Sequence, residues 1–187
     1  MTRRQHILIE AAKLFKAKGY SATSMRDLAD KVGLEAASLY NHIRSKEDIL
    51  QEICFDIAAR YVAQLTDIEA NNDTTVAKLK ALIHLHITMI AGNREEVYVC
   101  NNEWKHLTEP HLAQFKEVRR GYETRFLNII KKGIEQGELQ AVNPTTALYT
   151  ILSSVRWVEI WYQPDRGIAV EEIAKDISTV LIKGLKL

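Results

Sequence analysis

The sequence predicts an all-α fold of nine helices, and three observations support this prediction. Apolar residues recur at helical spacing along most of the 187 residues, whereas strand-like alternation of apolar and polar residues is almost absent. The chain has only 3 Pro and 8 Gly, and most of them stand where a helical pattern begins or ends. No apolar run approaches the roughly 20 residues that a membrane-spanning helix needs, so we expect a globular protein without a membrane segment.

Three short helices are predicted at the N-terminus. Thr2-Arg-Arg-Gln5 is a capping-box pattern, in which the Thr and Gln side chains satisfy free backbone N–H groups, and the helix that it starts ends at Gly19. Ser24-Met-Arg-Asp27 starts the second helix, which ends at Gly33, because glycine readily takes the left-handed conformation beyond a helix C-terminus. The third helix is predicted over residues 36–42.

Six further helices are predicted in the rest of the chain. Ser45-Lys-Glu-Asp48 starts a long helix, and Thr108-Glu-Pro110 opens another that ends at Gly137. Asn143-Pro144 is an N-cap followed by Pro at the first helical position. The six helices are predicted over about residues 46–70, 75–91, 94–106, 110–137, 144–162 and 170–185.

The net charge of +1 hides an uneven distribution along the chain. Residues 1–50 carry nine Lys or Arg against six acidic residues, which gives +3, and the remainder of the chain carries −2. A basic N-terminal part on a slightly acidic body is typical of a nucleic-acid binder, although ordinary solvated helix faces would show the same balance. The motif in the basic part has to decide between the two interpretations.

Residues 20–43 have the pattern of a helix-turn-helix. A helix of about nine residues, a break at Gly33-Leu34 and a second short helix form this motif, whose second helix enters the major groove of DNA. Small residues at Ala36 and Ala37 would let the second helix approach DNA closely. Hydrogen-bonding side chains follow on its outer surface: Ser38, Tyr40, Asn41 and His42. This motif predicts sequence-specific DNA binding.

The stretch from Gly19 to Leu50 resembles the DNA-binding head of the TetR family along its whole length, including Leu39-Tyr40-x-His42 and Ser45-Lys46-Glu47. The resemblance implies a helix-turn-helix head over residues 1–46 and a helical ligand-binding and dimerisation body over 47–187. It also implies a cytoplasmic transcriptional regulator, most often a repressor. Such a protein binds a palindromic operator as a homodimer and is released by a small apolar effector.

The resemblance also assigns roles to single residues. Thr23 and Ser24, at a helix N-terminus, are expected to meet phosphate. Tyr40 and His42 are expected to contact the DNA backbone, and Lys46 to reach a phosphate from the next helix. The candidates for contacts with base edges are Ala37, Ser38, Tyr40 and Asn41.

Two positions depart from the family pattern. Ile43 stands where the family usually has an aromatic residue, which we expect to change packing only. Glu35 stands where Ser or Thr usually caps the recognition helix. A carboxylate there suits the helix dipole but repels phosphate, so Glu35 either has no role in DNA binding or accepts a hydrogen bond from a cytosine amine.

The last two helices are predicted to form the dimer interface. Residues 144–162 are apolar nearly all round the helix, and residues 170–185 carry apolar side chains at helical spacing. Two copies of each helix would form a four-helix bundle about a two-fold axis. The alternative is that both helices fill only the core of the monomer.

An effector pocket is expected in the body. Its candidate lining is apolar and aromatic, which suits an apolar ligand, although each residue also fits an ordinary core. The candidates are Met89, Tyr98, Trp104, Phe115, Tyr122, Phe126, Tyr149 and Trp157. Residues 157–185 resemble the C-terminus of TetR regulators of fatty-acid and other acyl-CoA catabolism, which implies an acyl-CoA effector. Drug-like or other apolar ligands are the alternative.

Other function classes find little support in the sequence. It has no Gly-rich phosphate loop, no nucleophile elbow and no zinc-protease motif, so we expect neither an enzyme nor a cofactor or metal. Cys100, Glu103 and His106 are spaced so that they could hold a metal, but scattered polar groups on a half-buried helix explain them better. The rival function is a ligand-independent architectural DNA-binding protein.

Overall fold

The computed structural model describes residues 1–163 and 167–185, and in these ranges it is all-helical with nine α-helices and no strand. The predicted fold class is confirmed. The helices are α1 (Arg3–Lys18), α2 (Met25–Val32), α3 (Ala36–Leu39), α4 (Lys46–Ala70), α5 (Thr75–Gly92), α6 (Arg94–Asn102), α7 (His111–Glu135), α8 (Pro144–Trp161) and α9 (Val170–Leu185).

The predicted helix ends are largely confirmed by the backbone. Thr2 and Ser24 each form a complete capping box, and the Asn143 side chain accepts a hydrogen bond from the backbone N–H of Thr146. Gly33 closes α2 in the left-handed conformation, with φ +65°. Local hydrogen bonding thus determines where these helices begin and end.

Two predicted helices are shorter than expected. The third was predicted over residues 36–42, but α3 ends at Leu39 and the chain continues as a turn through His42. The helix predicted over 94–106 ends at Asn102 and is followed by a 3₁₀ turn at Trp104–His106. In both places, i→i+3 bonds replace the regular helical ladder, such as Asn41 N to Ser38 O at 3.2 Å.

The chain divides into two compact units. The first comprises Met1–Ala59 and Asn93–Val118, and in it α1 packs against α2 and α6. Its buried side chains include Phe15 and Leu39, and Lys16 of α1 forms an ion pair with Glu95 of α6 at 3.3 Å. The sequence placed α6 in the body, whereas tertiary packing joins it to the N-terminal helices. The division into a DNA-binding head that ends at residue 46 and a ligand-binding body that follows it stays a prediction.

The second unit comprises Arg60–Gly92 and the described residues from Arg119 onward. In it α5 packs against both α8 and α9. Gly133 on α7 is buried, and a Cβ there would lie 2.4 Å from the Thr75 methyl group and 2.8 Å from Leu139. A glycine is therefore needed where α7 approaches the start of α5. Within the described residues, no helix combines the length and the apolar character that a membrane crossing requires.

Candidate nucleic-acid interface and effector site

The first unit presents α3 and the turn after it at its surface. Leu28 and Val32 of α2 and Leu39 of α3 are buried, which anchors the two helices of the motif to the core. Glu35 is the N-cap of α3, yet its side chain makes no capping hydrogen bond and is exposed. Ala37 is exposed as well, so the outer face of α3 is small and open.

The candidate contacts after α3 share this surface. Tyr40 is 52% exposed, Asn41 and His42 are exposed, and Ser38 is half-buried. The turn continues the path of the helix, so side chains that are only a few residues apart in the chain project outward at neighbouring places on the surface. The structure therefore places five of the eight proposed DNA contacts on one surface, while Thr23, Ser24 and Lys46 lie elsewhere and Thr23 is buried.

The start of α2 is already engaged in bonds within the protein. Thr23 is only 3% exposed, and its hydroxyl donates to the Gly19 carbonyl at 2.9 Å. The Ser24 hydroxyl and the Asp27 carboxylate hydrogen-bond to each other within the capping box. This bonding, with Lys18 at 2.9 Å, holds the pKa of Asp27 well below its usual range. The N–H groups of Met25 and Arg26 lie outside the capping box and are the ones that a phosphate could approach.

Lys46, at the start of α4, holds the turn that precedes α2. Its ammonium donates to the carbonyl oxygens of Tyr20 at 2.8 Å and Thr23 at 2.7 Å, and lies 4.4 Å from the centre of the Tyr20 ring. The His106 ring is also stacked on that of Tyr20, with 5.2 Å between the ring centres. The carbonyls are neutral, so these hydrogen bonds leave the positive charge of Lys46 in place.

Two arginines at the start of α1 also bind backbone carbonyls of the motif. Arg3 donates to Val32 O at 3.1 Å, and Arg4 donates to His42 O at 2.5 Å while pairing with the carboxylate of Glu52. In the sequence these arginines were only part of the basic charge of the head. Their partners lie 29 to 48 residues away, so no local pattern could have identified this role.

The second unit contains a cluster of aromatic rings around the half-buried His86. The His86 ring lies 4.8 Å from that of Tyr61 and 6.4 Å from that of Phe126, and its Nε2 is 2.9 Å from the Tyr122 hydroxyl. Burial lowers the pKa of His86 to about 4 and raises the pKa of Tyr122. His86 is therefore neutral at pH 7 and shares one hydrogen bond with Tyr122 inside apolar surroundings. The sequence proposed Tyr122 and Phe126 for the pocket and missed Tyr61 and His86.

The other predicted pocket residues are distributed over both units. In the first unit, Phe115 lies 6.0 Å from Trp104 between ring centres, and Tyr98 lies beneath the ammonium of Lys16 at 5.8 Å. Met89 is buried in the second unit. The eight candidates thus do not line one site within either unit. Helical periodicity identifies the apolar face of a helix, but it does not show which other helix packs against that face.

Tyr149 and Trp157 lie on the exposed side of α8. Tyr149 is 50% exposed and donates to Glu123 at 3.2 Å, and Trp157 is 62% exposed. The opposite side of α8 is buried through Leu148, Ile151, Val155 and Val158. The sequence indicated a helix that is apolar nearly all round; the structure has one apolar side in the core, and the exposed side carries large apolar residues together with polar ones such as Ser153 and Arg156.

Large apolar side chains are exposed together along α8 and α9. We call them the α8–α9 surface; its members are Tyr149, Trp157, Ile160, Trp161 and Val180. Of the apolar residues of α9, Ile173 and Ala174 are buried within the unit, whereas Val180 is 72% exposed. These exposed apolar groups make α8 and α9 a candidate interaction surface.

The described part of the chain contains no group of three His, Cys, Asp or Glu side chains placed to hold a metal ion. Cys100, Glu103 and His106 have other partners. The Cys100 thiol donates to Cys54 O at 3.7 Å, and Glu103 pairs with His106 at 3.4 Å. Neither of these two cysteines is in a disulfide, and both are buried.

Two family models match the chain. Residues 7–53 match the model of bacterial regulatory proteins of the tetR family, and residues 72–185 match a tetracyclin repressor-like C-terminal domain. The first covers the whole helix-turn-helix, and the second covers more than half of the chain.

Full-length relatives and structures agree with these matches. The chain is 27% identical over 185 residues to the HTH-type transcriptional repressor KstR2 of Rhodococcus jostii (strain RHA1), covering 98% of this chain and 91% of the relative. The structure of the ketosteroid transcriptional regulator KstR2 of Mycobacterium tuberculosis has the same fold, with TM-score 0.94, 22% identity and coverage of 100% and 96%. AibR, in complex with isovaleryl coenzyme A and operator DNA, matches with TM-score 0.85, 27% identity and coverage of 97% and 98%.

Proposed function

The chain belongs to the TetR family of bacterial transcriptional regulators, and we propose that it is a repressor that binds a palindromic operator as a homodimer and is released by an acyl-CoA. The relatives that it matches are transcriptional regulators and not enzymes. The observation that carries the proposal is the exposed α3 surface, on which small and hydrogen-bonding groups stand together on a fully anchored helix-turn-helix.

For DNA binding, we assign the residues after α3 to two tasks. Tyr40 and His42 bind phosphate oxygens, which sets the register of the protein on the duplex. Ala37, Ser38 and Asn41 face base edges, where Asn suits adenine and the Ala methyl group suits a thymine methyl group. Tyr40 is near enough to these residues to share the second task.

For the DNA backbone, the start of α2 and Lys46 are the further contacts. The N–H groups next to Ser24 and the dipole of α2 favour a phosphate. Thr23 supports this end from inside, because its hydroxyl is bonded to Gly19. Lys46 holds the neighbouring turn and keeps its positive charge, so it can attract the phosphate that binds at the start of α2.

For assembly, the α8–α9 surface is the homodimer interface that we propose. Its apolar residues would form a four-helix bundle with those of a second copy. A two-fold dimer would let two copies of α3 read half-sites about 34–36 Å apart, which is one turn of DNA.

For the effector, we propose an acyl-CoA whose acyl group binds near the aromatic cluster of Tyr61, His86, Tyr122 and Phe126. AibR, which this chain resembles over nearly its whole length, binds isovaleryl coenzyme A. Release requires that the effector bind the DNA-incompetent state more tightly, because equal affinity for both states shifts nothing. Helix α4 is the proposed lever, since one helix carries both Lys46 and Tyr61.

The first experiment identifies the operator. The wild-type protein selects duplexes from a library of random 30-base-pair DNA, and we expect a palindrome with half-sites one helical turn, or a multiple of it, apart. Non-palindromic sequences, or no enrichment at all, would contradict the proposed homodimeric operator binding.

The second experiment titrates the complex with the selected duplex against a panel of acyl-CoAs, with free CoA and free fatty acids as controls. An effector with a typical coupling free energy of about 1–3 kcal/mol weakens DNA binding roughly 5–150-fold. Release by an unrelated apolar compound alone would reject the acyl-CoA. No response to any compound would favour the ligand-independent architectural role.

A further inference from the structure

The turn after α3 carries several of the proposed DNA contacts, yet its own helix is too short to hold it. Helix α3 has four residues, and isolated helices of this length are unstable. Leu39 and Ile43 are buried and anchor the two ends of the turn. Between them, Tyr40, Asn41 and His42 are exposed, and their positions depend on whatever binds their backbone.

A cleft of about 630 Å³ lies beside this turn, and its lining includes Asn41 and His42 of the turn and Gln51 and Glu52 of α4. The cleft is open to solvent and lined mainly by polar side chains. The turn therefore needs directional bonds across the cleft to keep one conformation.

Arg4 supplies these bonds. Its Nη1 donates to His42 O at 2.5 Å, and its Nε donates to Glu52 Oε2 at 3.0 Å. Its Nη2 also binds the same carboxylate oxygen. A planar guanidinium held by a carboxylate has a fixed direction for its remaining N–H groups, so Glu52 aims Arg4 at the turn.

We infer that Arg4 and Glu52 are positioning residues for DNA recognition, which hold the turn after α3 in the geometry that seats Tyr40, Asn41 and His42 on DNA. The inference rests on the proposed operator binding and extends it to two residues outside the helix-turn-helix. In this arrangement Glu52 acts only through Arg4.

If only charge mattered, removing the Glu52 carboxylate would strengthen DNA binding, whereas a positioning role predicts that it weakens binding to the operator. DNA is a polyanion, so removing a carboxylate near it favours binding to any sequence. If Glu52 positions the turn, its removal weakens binding to the operator in spite of this gain. The sign of the change thus separates the two explanations.

The test uses Glu52→Gln in the full-length protein, with Glu10→Gln as the matched control. Glu10 lies on α1 in the same unit and pairs with Lys13 at 2.6 Å and Lys31 at 3.9 Å, so its replacement by Gln removes the same charge and two ion pairs without touching the turn. Fluorescence anisotropy measures the affinity for the selected duplex and for a scrambled duplex of equal length, over a range of salt concentrations.

We expect Glu52→Gln to weaken binding to the selected duplex on the order of tenfold, as loss of a charge-assisted hydrogen bond would, with the salt slope unchanged. Binding to the scrambled duplex stays equal or becomes tighter. Glu10→Gln should not weaken binding to either duplex. Arg4→Lys keeps the charge but loses the planar guanidinium with its several N–H donors. Like Glu52→Gln, it should therefore lose preference for the selected duplex over the scrambled one. Thermal unfolding confirms that each variant is folded.

A second measurement needs no DNA. Hydrogen exchange of peptides covering residues 40–44 should be faster in Glu52→Gln than in the wild type and unchanged in Glu10→Gln. Unchanged exchange, or a folded Glu52→Gln variant that binds the selected duplex as tightly as the wild type, overturns the inference. Failure of the proposed function is a different result, because the wild type itself would then not prefer the selected duplex.

Discussion

The surface around α3 and the α8–α9 surface are built in opposite ways. Around α3 the exposed groups are small or polar, and Lys46 and Arg4 hold the neighbouring turns through backbone carbonyls. On α8 the exposed groups include the large apolar Tyr149, Trp157 and Ile160, while the opposite side of this helix is packed in the core, and Val180 is exposed on α9. A surface for a charged, hydrated partner needs directional bonds, whereas a surface for an apolar partner needs mainly area.

The largest expected effect concerns the apolar surface. Ile160→Glu would bury an unpaired carboxylate in the proposed interface, and we expect a loss in dimerisation free energy of at least about 3 kcal/mol, over a hundredfold in the dissociation constant. Sedimentation velocity measures the dimer, and operator affinity should fall with it. Asn128→Glu, at an exposed position of α7, adds the same charge and should leave the dimer intact. A folded, fully dimeric Ile160→Glu variant would remove the basis of the interface proposal.

The next effect is the pH dependence of stability that His86 causes. It tests the neutral His86–Tyr122 pair of the second unit, in contrast to the charged bonds of the first unit. The pKa of His86 is lowered from 6.5 to about 4, so the unfolded chain binds this proton more readily than the folded protein. The contribution of His86 to stability is present above pH 6.5 and is lost as the pH falls toward 4, up to about 3 kcal/mol.

Urea denaturation across this pH range measures the loss. His86→Phe keeps an aromatic ring but cannot titrate, so its unfolding free energy should depend less on pH than that of the wild type. His84→Phe is the control, because His84 is exposed on the same helix and should leave the pH dependence unchanged. Equal pH dependence in the wild type and His86→Phe would show that His86 is not a half-buried neutral group.

A smaller effect tests the head. Lys46→Ala removes the bonds to the carbonyls of Tyr20 and Thr23 together with one positive charge, and we expect operator binding to weaken by about 1.5–3 kcal/mol. The salt slope should also fall by about 0.9, since each neutralised phosphate contributes that amount. Lys13→Ala removes an exposed charge of α1 and should leave the slope unchanged. If Lys46→Ala has the same salt slope as the wild type, Lys46 does not contact phosphate and only holds the turn before α2.

The smallest effect comes from a single hydroxyl group. Tyr40→Phe removes one neutral hydrogen bond to phosphate, so operator affinity should fall by about 0.5–1.5 kcal/mol with no change in the salt slope. Anisotropy titrations at several salt concentrations separate affinity from slope. Unchanged affinity would mean that the exposed hydroxyl does not reach the DNA.

The sequence was sufficient for the parts of the protein that depend on local bonds. Capping at Thr2, Ser24 and Asn143 and the left-handed Gly33 involve residues three or four positions apart, so the pattern alone predicts them. The helix-turn-helix and the family follow from one contiguous stretch, and both are confirmed. The third helix was predicted too long, because a pattern of seven residues is too short to distinguish a continuous α-helix from a helix that ends in a turn with i→i+3 bonds.

The candidate sites were harder to predict, because they depend on which faces meet. Periodicity identified Tyr122 and Phe126 as apolar but could not reveal that His86 packs against both of them and against Tyr61. It also could not separate the two sides of α8, where Leu148 is buried and Trp157 is exposed. Both sides are apolar, so composition does not distinguish a core side from an interaction side.

By itself, the sequence determined the all-helical class, most of the helix ends and the recognition motif, since each arises from bonds within a few residues of chain. Only the tertiary structure decided that α6 packs on α1, that Lys46 holds the turn before α2 and that Arg4 holds the turn after α3. These contacts join residues more than twenty positions apart. A side chain's partner at such a distance is chosen by how the helices pack, and no local pattern records that choice.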